Sequence, residues 1–326
     1  MKIAVAGCGA VGSFYGAKLA RAGHQVHFLL RSDFDTVRRH GVFIESPDGD
    51  FHVQPVCARD PAEIGPADLV LVALKATANH RFPDLIPPLA GPHTAVVTLQ
   101  NGLGNEEALA KIVPPDQVLG GLCFVCLNRV APGRIRHMDH GLVVLGEFQR
   151  PPGTRLQEIA AAFAAAGIPC RTSDNLHRAH WEKLVWNVPF NGLGVAAAAG
   201  HAPWIDPLAP VQLRDSCFAT DRLLRDSDWE SRARQLMLEV IRTANALKLP
   251  VDESLANTQI ERTRSMGAYQ ASTLIDFELG RPLELEALFL EPLRRARSAG
   301  MKVPFLERLC KILSELDSIR KSTRED

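Results

Sequence analysis

The chain has 326 residues, 46% hydrophobic and 23% charged, an ordinary globular composition long enough for two domains. Lys plus Arg and Asp plus Glu both total 37, so the formal net charge is zero, which gives no support to nucleic-acid or anionic-membrane binding as the main role. No stretch approaches the ~18 consecutive apolar residues of a membrane-spanning helix.

The chain opens on "KIAVAG", a short apolar run read as a buried strand, followed by a glycine turn. It resembles a signal-peptide core only superficially, because no small-residue cleavage site follows, and the expectation is a cytoplasmic protein. "AVGSFYGAKLARAG" has helical periodicity and ends at Gly23; "QVHFLL" is the next strand. "GVFIESPDGDFHVQPV" reads as a hairpin across Pro47, Asp48 and Gly49. "ADLVLVALKA" and "HTAVVTLQNG" are two more buried strands, and "NEEALAKIV" is a short helix. "VLGGLCFVCLNRV" and "GLVVLGEF" read as strands, and "RLQEIAAAFAAAG" as a helix. Strands interleaved with helices predict a Rossmann-like, doubly wound parallel sheet, the α/β class.

From about residue 175 the texture changes. "AHWEKLVWNVPFNGLGVAAAAG", "WESRARQLMLEVIRTANALKL", "ASTLIDFELG", "LELEALFLEPLRRARSAG" and "FLERLCKILSELDSIR" all have helical period, and a frayed tail is expected after them. The predicted organisation is a dinucleotide-binding domain over 1–174 and an all-helical C-terminal domain over 175–326, with the junction near 165–178. So short a junction suggests a cleft between the domains, a preferred place for a ligand.

Seven cysteines, an odd number, argue against a disulfide framework. Cys123 and Cys126 form a C-x-x-C on a predicted strand, where residues three apart point to opposite faces, so they are expected to be buried structural thiols. His137 with His140, and His177 with His180, lack metal-ligand spacing and are expected in exposed loops or at helix starts.

"GCGAVG" places Gly7, Gly9 and Gly12 in a G-x-G-x-x-G pattern, with Cys8, Ala10 and Val11 between them. The pattern follows a strand and opens a helix, the context that gives it meaning. Gly7 permits the tight turn, Gly9 lets backbone approach a pyrophosphate, and Gly12 lets helix pack on strand. The helix N-terminus adds unsatisfied N–H groups and a positive dipole end. The second strand ends at Arg31, whose guanidinium favours the 2′-phosphate of NADP(H). Asp33 and Asp35 follow; were the strand longer, Asp33 could bond an NAD ribose instead. Lys75 ends "LVLVALK" and either faces the ligand crevice or is a solvated strand end. Asn101, in "LQNG", either faces the nicotinamide or only makes a turn.

In "WEKLVWNVPFN" the polar residues Lys183, Asn187 and Asn191 are spaced by four along an otherwise apolar helix. They form one polar stripe, which must be satisfied by a polar substrate or by an interhelical hydrogen-bond network. Trp181, Leu184, Val185 and Val188 are candidate packing contacts on the other side. Pro189 should kink the axis between the two amides.

Together "GCGAVG", Arg31, the Leu74–Lys75 pair, "LQNG", "KLVWNVPFN" and "STLIDFELGRPLELE" resemble the ketopantoate reductase family over nearly the whole chain. The resemblance implies transfer of a hydride from NADPH to the ketone of a small 2-oxo acid, 2-dehydropantoate, with no metal. It implies Lys183 as general acid, Asn187 and Asn191 on the substrate's oxygens, Ser272 on its carboxylate, and Glu284 near the lysine and the cofactor ribose. Ser272 could equally cap a helix, and Glu284 could be an ordinary helix-start glutamate after Pro282. Several positions depart from the family pattern: Thr273 stands where Met is frequent, His201 and Tyr269 where asparagines are expected, Leu283 where Thr is usual, and 286–290 reads Glu-Ala-Leu-Phe-Leu. The cofactor and acid positions survive, while part of the substrate shell does not. Two alternatives therefore stay open: a reductase of another 2-oxo acid, and a non-catalytic NADP(H)-binding sensor. The long helical half also offers surface for a homodimer.

Overall fold

The computed structural model describes residues 1–325, and side chains through residue 321. The tail 321–326 was expected to fray, but its backbone is helical through Glu325, and only residue 326 lies outside the described backbone. The chain divides into two compact units, the first Met1–Leu176 and the second beginning at His177.

In chain order the first unit runs β1 (Lys2–Ala6), α1 (Ala10–Arg21), β2 (Gln25–Leu29), α2 (Phe34–His40), β3 (Val42–Glu45), β4 (Phe51–Val53), β5 (Val56–Ala58), α3 (Pro61–Ile64), β6 (Ala67–Val72), α4 (Phe82–Leu85), β7 (Ala90–Thr98), α5 (Asn105–Leu109), β8 (Val118–Ala131), β9 (Arg134–Glu147), α6 (Thr154–Ala165) and β10 (Cys170–Thr172). All ten strands join one sheet in the order β4-β3-β9-β8-β7-β6-β1-β2-β5, with β10 on β9. From β5 to β8 every pairing is parallel. Growth of the sheet reverses between β1 and β6, the switch point of doubly wound dinucleotide-binding sheets. Beyond β8 the sheet is mixed, because β9 runs antiparallel to β8 and β4 antiparallel to β3.

The central strands are apolar because both faces are covered. Ile3, Ala4, Val5 and Ala6 are all fully buried, as are Val70, Leu71 and Val72. Burying each such branched side chain stabilises by about 1.5–3 kcal/mol. The expected β3–β4 hairpin forms, closed by the Gly49 amide donating to Ser46 O at 2.9 Å with Gly49 at φ 105°.

In the β8–β9 ribbon one sequence expectation, for His137, is corrected, and the expected burial of Cys123 and Cys126 is met. His137 was expected in an exposed loop but is 3% exposed on β9. Its Nδ1 lies 2.8 Å from Ser46 Oγ and its Nε2 2.9 Å from His140 O, and its ring packs on Phe14. Register shifts between Phe124 and Val125, and again after Cys126, break the alternation along the ribbon. Strict alternation therefore did not apply to Cys123 and Cys126, and both are buried. β5 and β10, three residues each, were too short to show a period.

The second unit begins in the helix α7 (Leu176–Ala196), then α8 (Ala202–Ile205), α9 (Thr220–Arg225), α10 (Ser227–Ala246), α11 (Ser254–Ser265) and α12 (Ser272–Glu278). A π-helical turn at Glu286–Leu290 leads into α13 (Glu291–Ser298), and α14 (Pro304–Glu325) ends the described chain. Among the described residues this unit holds no strand. Histidines 177 and 180 lie in the first turns of α7, the expected helix start, and His180 is buried there. Gly192 lets α7 pack closely within the unit: a Cβ there would lie 2.6 Å from Leu309 and 2.9 Å from Phe289. α10 also anchors α14, because the Glu239 carboxylate accepts from the Phe305 and Leu306 amides at 3.0 and 2.8 Å. Among the described residues no helix is long and apolar enough to cross a membrane.

Candidate active site

The glycine turn sits at the C-terminal end of β1, at the switch point. Gly7 has φ 102°, and a Cβ on it would collide with the Leu74 amide nitrogen and lie 2.6 Å from the Ala73 carbonyl carbon. Gly12 is equally constrained, since its Cβ would strike the Gly7 carbonyl oxygen. Gly9 differs: it is exposed, it caps α1, and a Cβ there meets nothing within 4 Å. Cys8, Ala10 and Val11 are half-buried between them. The Ser13 hydroxyl donates to Cys8 O at 3.0 Å, pinning the turn. No side chain caps α1 and its first turn carries no acid, so its amides and positive dipole end suit an anion. Tight glycines beneath and an open one above are the cradle a pyrophosphate needs.

β2 ends at Leu29, and the Leu30 amide still bonds Ala58 O at 2.9 Å. Arg31 follows, exposed. The alternative in which Asp33 binds a ribose meets a physical obstacle, because its carboxylate is already engaged. Arg129 on β8 grips it through Nε at 2.9 Å and through a second, short contact from Nη2, and the Ser32 hydroxyl adds a bond at 2.9 Å. Burial alone would push the Asp33 carboxyl up; the Arg129 and Ser32 hydrogen bonds outweigh it and hold the group below its ordinary value. Asp35 is paired with Arg59 at 2.8 Å. Nothing in the sequence near Asp33 announces Arg129, which lies 96 residues away.

Lys75 is exposed, just beyond β6 and at the start of a 3-10 turn over Ala76–Arg81. Asn101 lies beyond β7, between Gln100 and Gly102, the latter at φ 86°. A relay of buried and half-buried side chains fixes this loop. Thr98 Oγ1 donates to Gln100 at 2.9 Å, Gln100 Nε2 to Asn79 at 2.7 Å, Asn79 Nδ2 to Asn105 at 2.8 Å, and Asn105 Nδ2 to Asn101 O at 3.0 Å. Gln100 stood beside Asn101 in "LQNG", but Asn79 and Asn105 carried no recognisable pattern.

In the second unit α7 is one continuous helix through Pro189. The predicted packing residues Trp181, Leu184, Val185 and Val188 are all buried, at 2% exposure or less. Lys183 is half-buried, and Asn187 and Asn191 are 6% and 4% exposed. The two amides differ in their bonding. Asn191 Oδ1 accepts from Ser272 Oγ at 3.3 Å, Thr273 N at 3.2 Å and Thr273 Oγ1 at 3.0 Å. Asn191 and Ser272 are thus brought together at the start of α12; the N-cap there is Ala271 and no side chain caps the helix, so the reading of Ser272 as a cap is not met. None of the described side-chain hydrogen bonds uses the Asn187 amide, nor is it among the sealed unsatisfied polar atoms. Glu284 is 5% exposed, ahead of the π-helical turn, and its carbonyl accepts from Leu288 N at 3.1 Å. Such turns recur at functional sites. At the departing positions, His201 Nδ1 accepts from Arg232 Nη1 at 3.1 Å and its ring lies 5.0 Å from that of Trp229. Glu286 pairs with Arg294. Among the described residues no group of His, Cys, Asp and Glu is positioned to hold a metal.

Comparison with known proteins agrees with this geometry. Residues 3–150 match the model of "Ketopantoate reductase PanE/ApbA" and residues 217–317 that of its C-terminal part. The chain is 39% identical to a 2-dehydropantoate 2-reductase from Nostoc, over 97% of this chain and 95% of that one. It is similar to the crystal structure of a 2-dehydropantoate 2-reductase from Geobacter metallireducens, with TM-score 0.89 and 42% identity, covering 97% of this chain and 99% of that one. A D-mandelate dehydrogenase solved with NADH and anilino(oxo)acetate shares the fold, with TM-score 0.84 and 20% identity over 98% of this chain and 100% of that one. The fold, with these family matches, makes the chain an oxidoreductase with a nicotinamide dinucleotide cofactor, NADP(H). The chain belongs to the ketopantoate reductase family.

Proposed function

We propose that this chain reduces the ketone of 2-dehydropantoate to (R)-pantoate with NADPH, in the cytoplasm, for pantothenate and coenzyme A synthesis. NADPH supplies the hydride that reduces the ketone carbon. Gly7 through Gly12, with the α1 N-terminus, hold the pyrophosphate, and Arg31 holds the 2′-phosphate by charge and a two-pronged hydrogen bond. Lys75 and Asn101 border the nicotinamide half. The first unit is the NADP-binding domain and the second carries the catalytic and substrate residues.

Lys183 Nζ stabilises the oxygen of the ketone as negative charge develops on it, then gives it a proton. Asn187 hydrogen-bonds the substrate's hydroxyl and carbonyl oxygens. Ser272 bonds the carboxylate, Asn191 steadies that wall from beneath it, and Glu284 orients the lysine and the cofactor ribose. The observation that carries the reading is the pair one turn apart on α7: a half-buried lysine, and a buried amide that none of the described side-chain bonds uses. A sensor needs no such acid. Exposed Ile205 and Leu208, at 77% and 89%, offer apolar surface for a homodimer.

A second reading, reduction of a different 2-oxo acid, is favoured by one observation. Thr273 directs two hydrogen bonds at the Asn191 carbonyl that the family pattern would offer to substrate. NADPH oxidation with 2-dehydropantoate and a panel of 2-oxo acids decides between them. Turnover of 2-dehydropantoate that vanishes in Lys183→Ala, with NADPH binding retained, supports the first reading. Turnover only of other acids supports the second. NADPH binding without turnover of any of them overturns both.

A further inference from the structure

We propose that Arg129 is a cofactor-specificity residue, which secures the choice of NADPH by sequestering the Asp33 carboxylate beside Arg31. The inference rests on the NADPH reading above. The end of the second strand is where such sheets read the adenosine ribose, and an acid there bonds the 2′-OH and repels a 2′-phosphate. This chain has Arg31 at that place and Asp33 two residues on, so the local sequence carries both signals.

The geometry removes one of them. Arg129 meets the Asp33 carboxylate with two nitrogens, the fork-on-carboxylate arrangement that fixes direction as well as charge. Asp33 is 6% exposed, and the Arg129 side chain covers it while keeping 34% of its own surface exposed. Arg129 comes from the last residues of β8, next to the turn at Gly133. The Gly133 carbonyl accepts from Phe43 N at 2.8 Å, which ties that turn to the chain just beyond α2. The β8–β9 ribbon therefore delivers the guanidinium to a fixed place. A brace between β8 and α2 would need only some contact at this point. A two-pronged cation on the one buried acid of "RSDFD" also neutralises the charge that would oppose a phosphate.

The test measures equilibrium binding of NADPH and NADH, by quenching of protein fluorescence, together with KM and kcat. In Arg129→Met the NADPH Kd should rise about tenfold or more with NADH affinity equal or better, while kcat at saturating NADPH changes little. Arg129→Met with Asp33→Asn, which removes the carboxylate left without Arg129, should return the NADPH Kd to within about threefold of the unaltered protein. Should Arg129→Met not fold, Arg129→Lys replaces it; it keeps the charge but not the fork, and its Kd ratio should still move toward NADH. An unchanged Kd ratio in the folded single variant overturns the inference, as does equal loss of both cofactors without rescue by Asp33→Asn. An unaltered protein that itself prefers NADH overturns the NADPH reading instead, so the two failures are distinguishable.

Discussion

Asn191 and Thr273 are joined twice: the Asn191 carbonyl oxygen accepts both the amide and the hydroxyl of Thr273, at 3.2 and 3.0 Å. With Ser272 also donating to it, that oxygen has three donors from the start of α12. α7 and α12 are thus held together at a buried polar point, where a lost partner leaves several groups unsatisfied. Asn191→Ala should destabilise the protein by roughly 2–4 kcal/mol in urea unfolding. Asn187→Ala should cost less than about 1 kcal/mol and appear instead as a raised KM for the oxo acid. Equal stability losses would sink the division of labour between the two amides.

Lys183 is the third member of that stripe. Its replacement by Ala should lower kcat by roughly 10²–10⁴ while leaving the NADPH Kd unchanged. A variant that loses NADPH binding in parallel would remove the general-acid assignment.

Two glycines of the turn, Gly7 and Gly9, should separate by mechanism. Gly7→Ala introduces a Cβ into backbone at φ 102°, and should cost roughly 2–4 kcal/mol of stability along with cofactor binding. Gly9→Ala meets no protein atom within 4 Å. It should unfold within about 1 kcal/mol of the unaltered chain and yet lose NADPH affinity, because its methyl group occupies the space the pyrophosphate needs. Thermal denaturation and fluorescence titration of the two variants read stability and affinity separately.

What could be read in advance follows from the range of the interactions. "GCGAVG" and the stripe of α7 are local patterns, and both carried over from sequence to structure because strand, turn and helix geometry fix them within a few residues. The helical placement of Lys183 and Asn187 was legible for that reason. His137 was misread because its segment was taken for a loop, whereas it lies on β9, where exposure alternates regularly from Arg134 through Met138. The Asn79–Asn105 relay and the Arg129 grip on Asp33 pair residues 26 and 96 positions apart. Such pairings depend on which strands become neighbours, and no window of sequence contains them. Thr273 is an intermediate case: its departure from the family pattern was visible, but not its bond to Asn191.

Arg31→Asp should reverse the charge offered to the 2′-phosphate. The NADPH Kd should rise by roughly tenfold to a hundredfold and NADH should gain. Raising the salt concentration should weaken NADPH binding more in the unaltered protein than in the variant, since an exposed ion pair is screened. Equal affinities for the two cofactors before and after the change would remove Arg31 from the cofactor site.

Acid stability follows from Asp33 and Glu239, with opposite signs. The folded Asp33 carboxyl lies below its unfolded value, because Arg129 and Ser32 outweigh the burial that raises it. Its contribution is therefore present above the unfolded value of about 4 and is lost as pH falls through the lower folded value. Glu239 is raised by burial, which outweighs the Phe305 and Leu306 amide bonds that lower it. Its contribution is fully present below the unfolded value of about 4.3 and is lost as pH rises through the higher folded one. Asp33→Asn should thus flatten the fall in unfolding free energy below about pH 4, whereas Glu239→Gln should remove a loss that sets in above it. Urea unfolding across an acid series measures both slopes. An Asp33→Asn variant whose stability falls as steeply in acid as that of the unaltered chain would show that the Arg129 grip contributes nothing to folding.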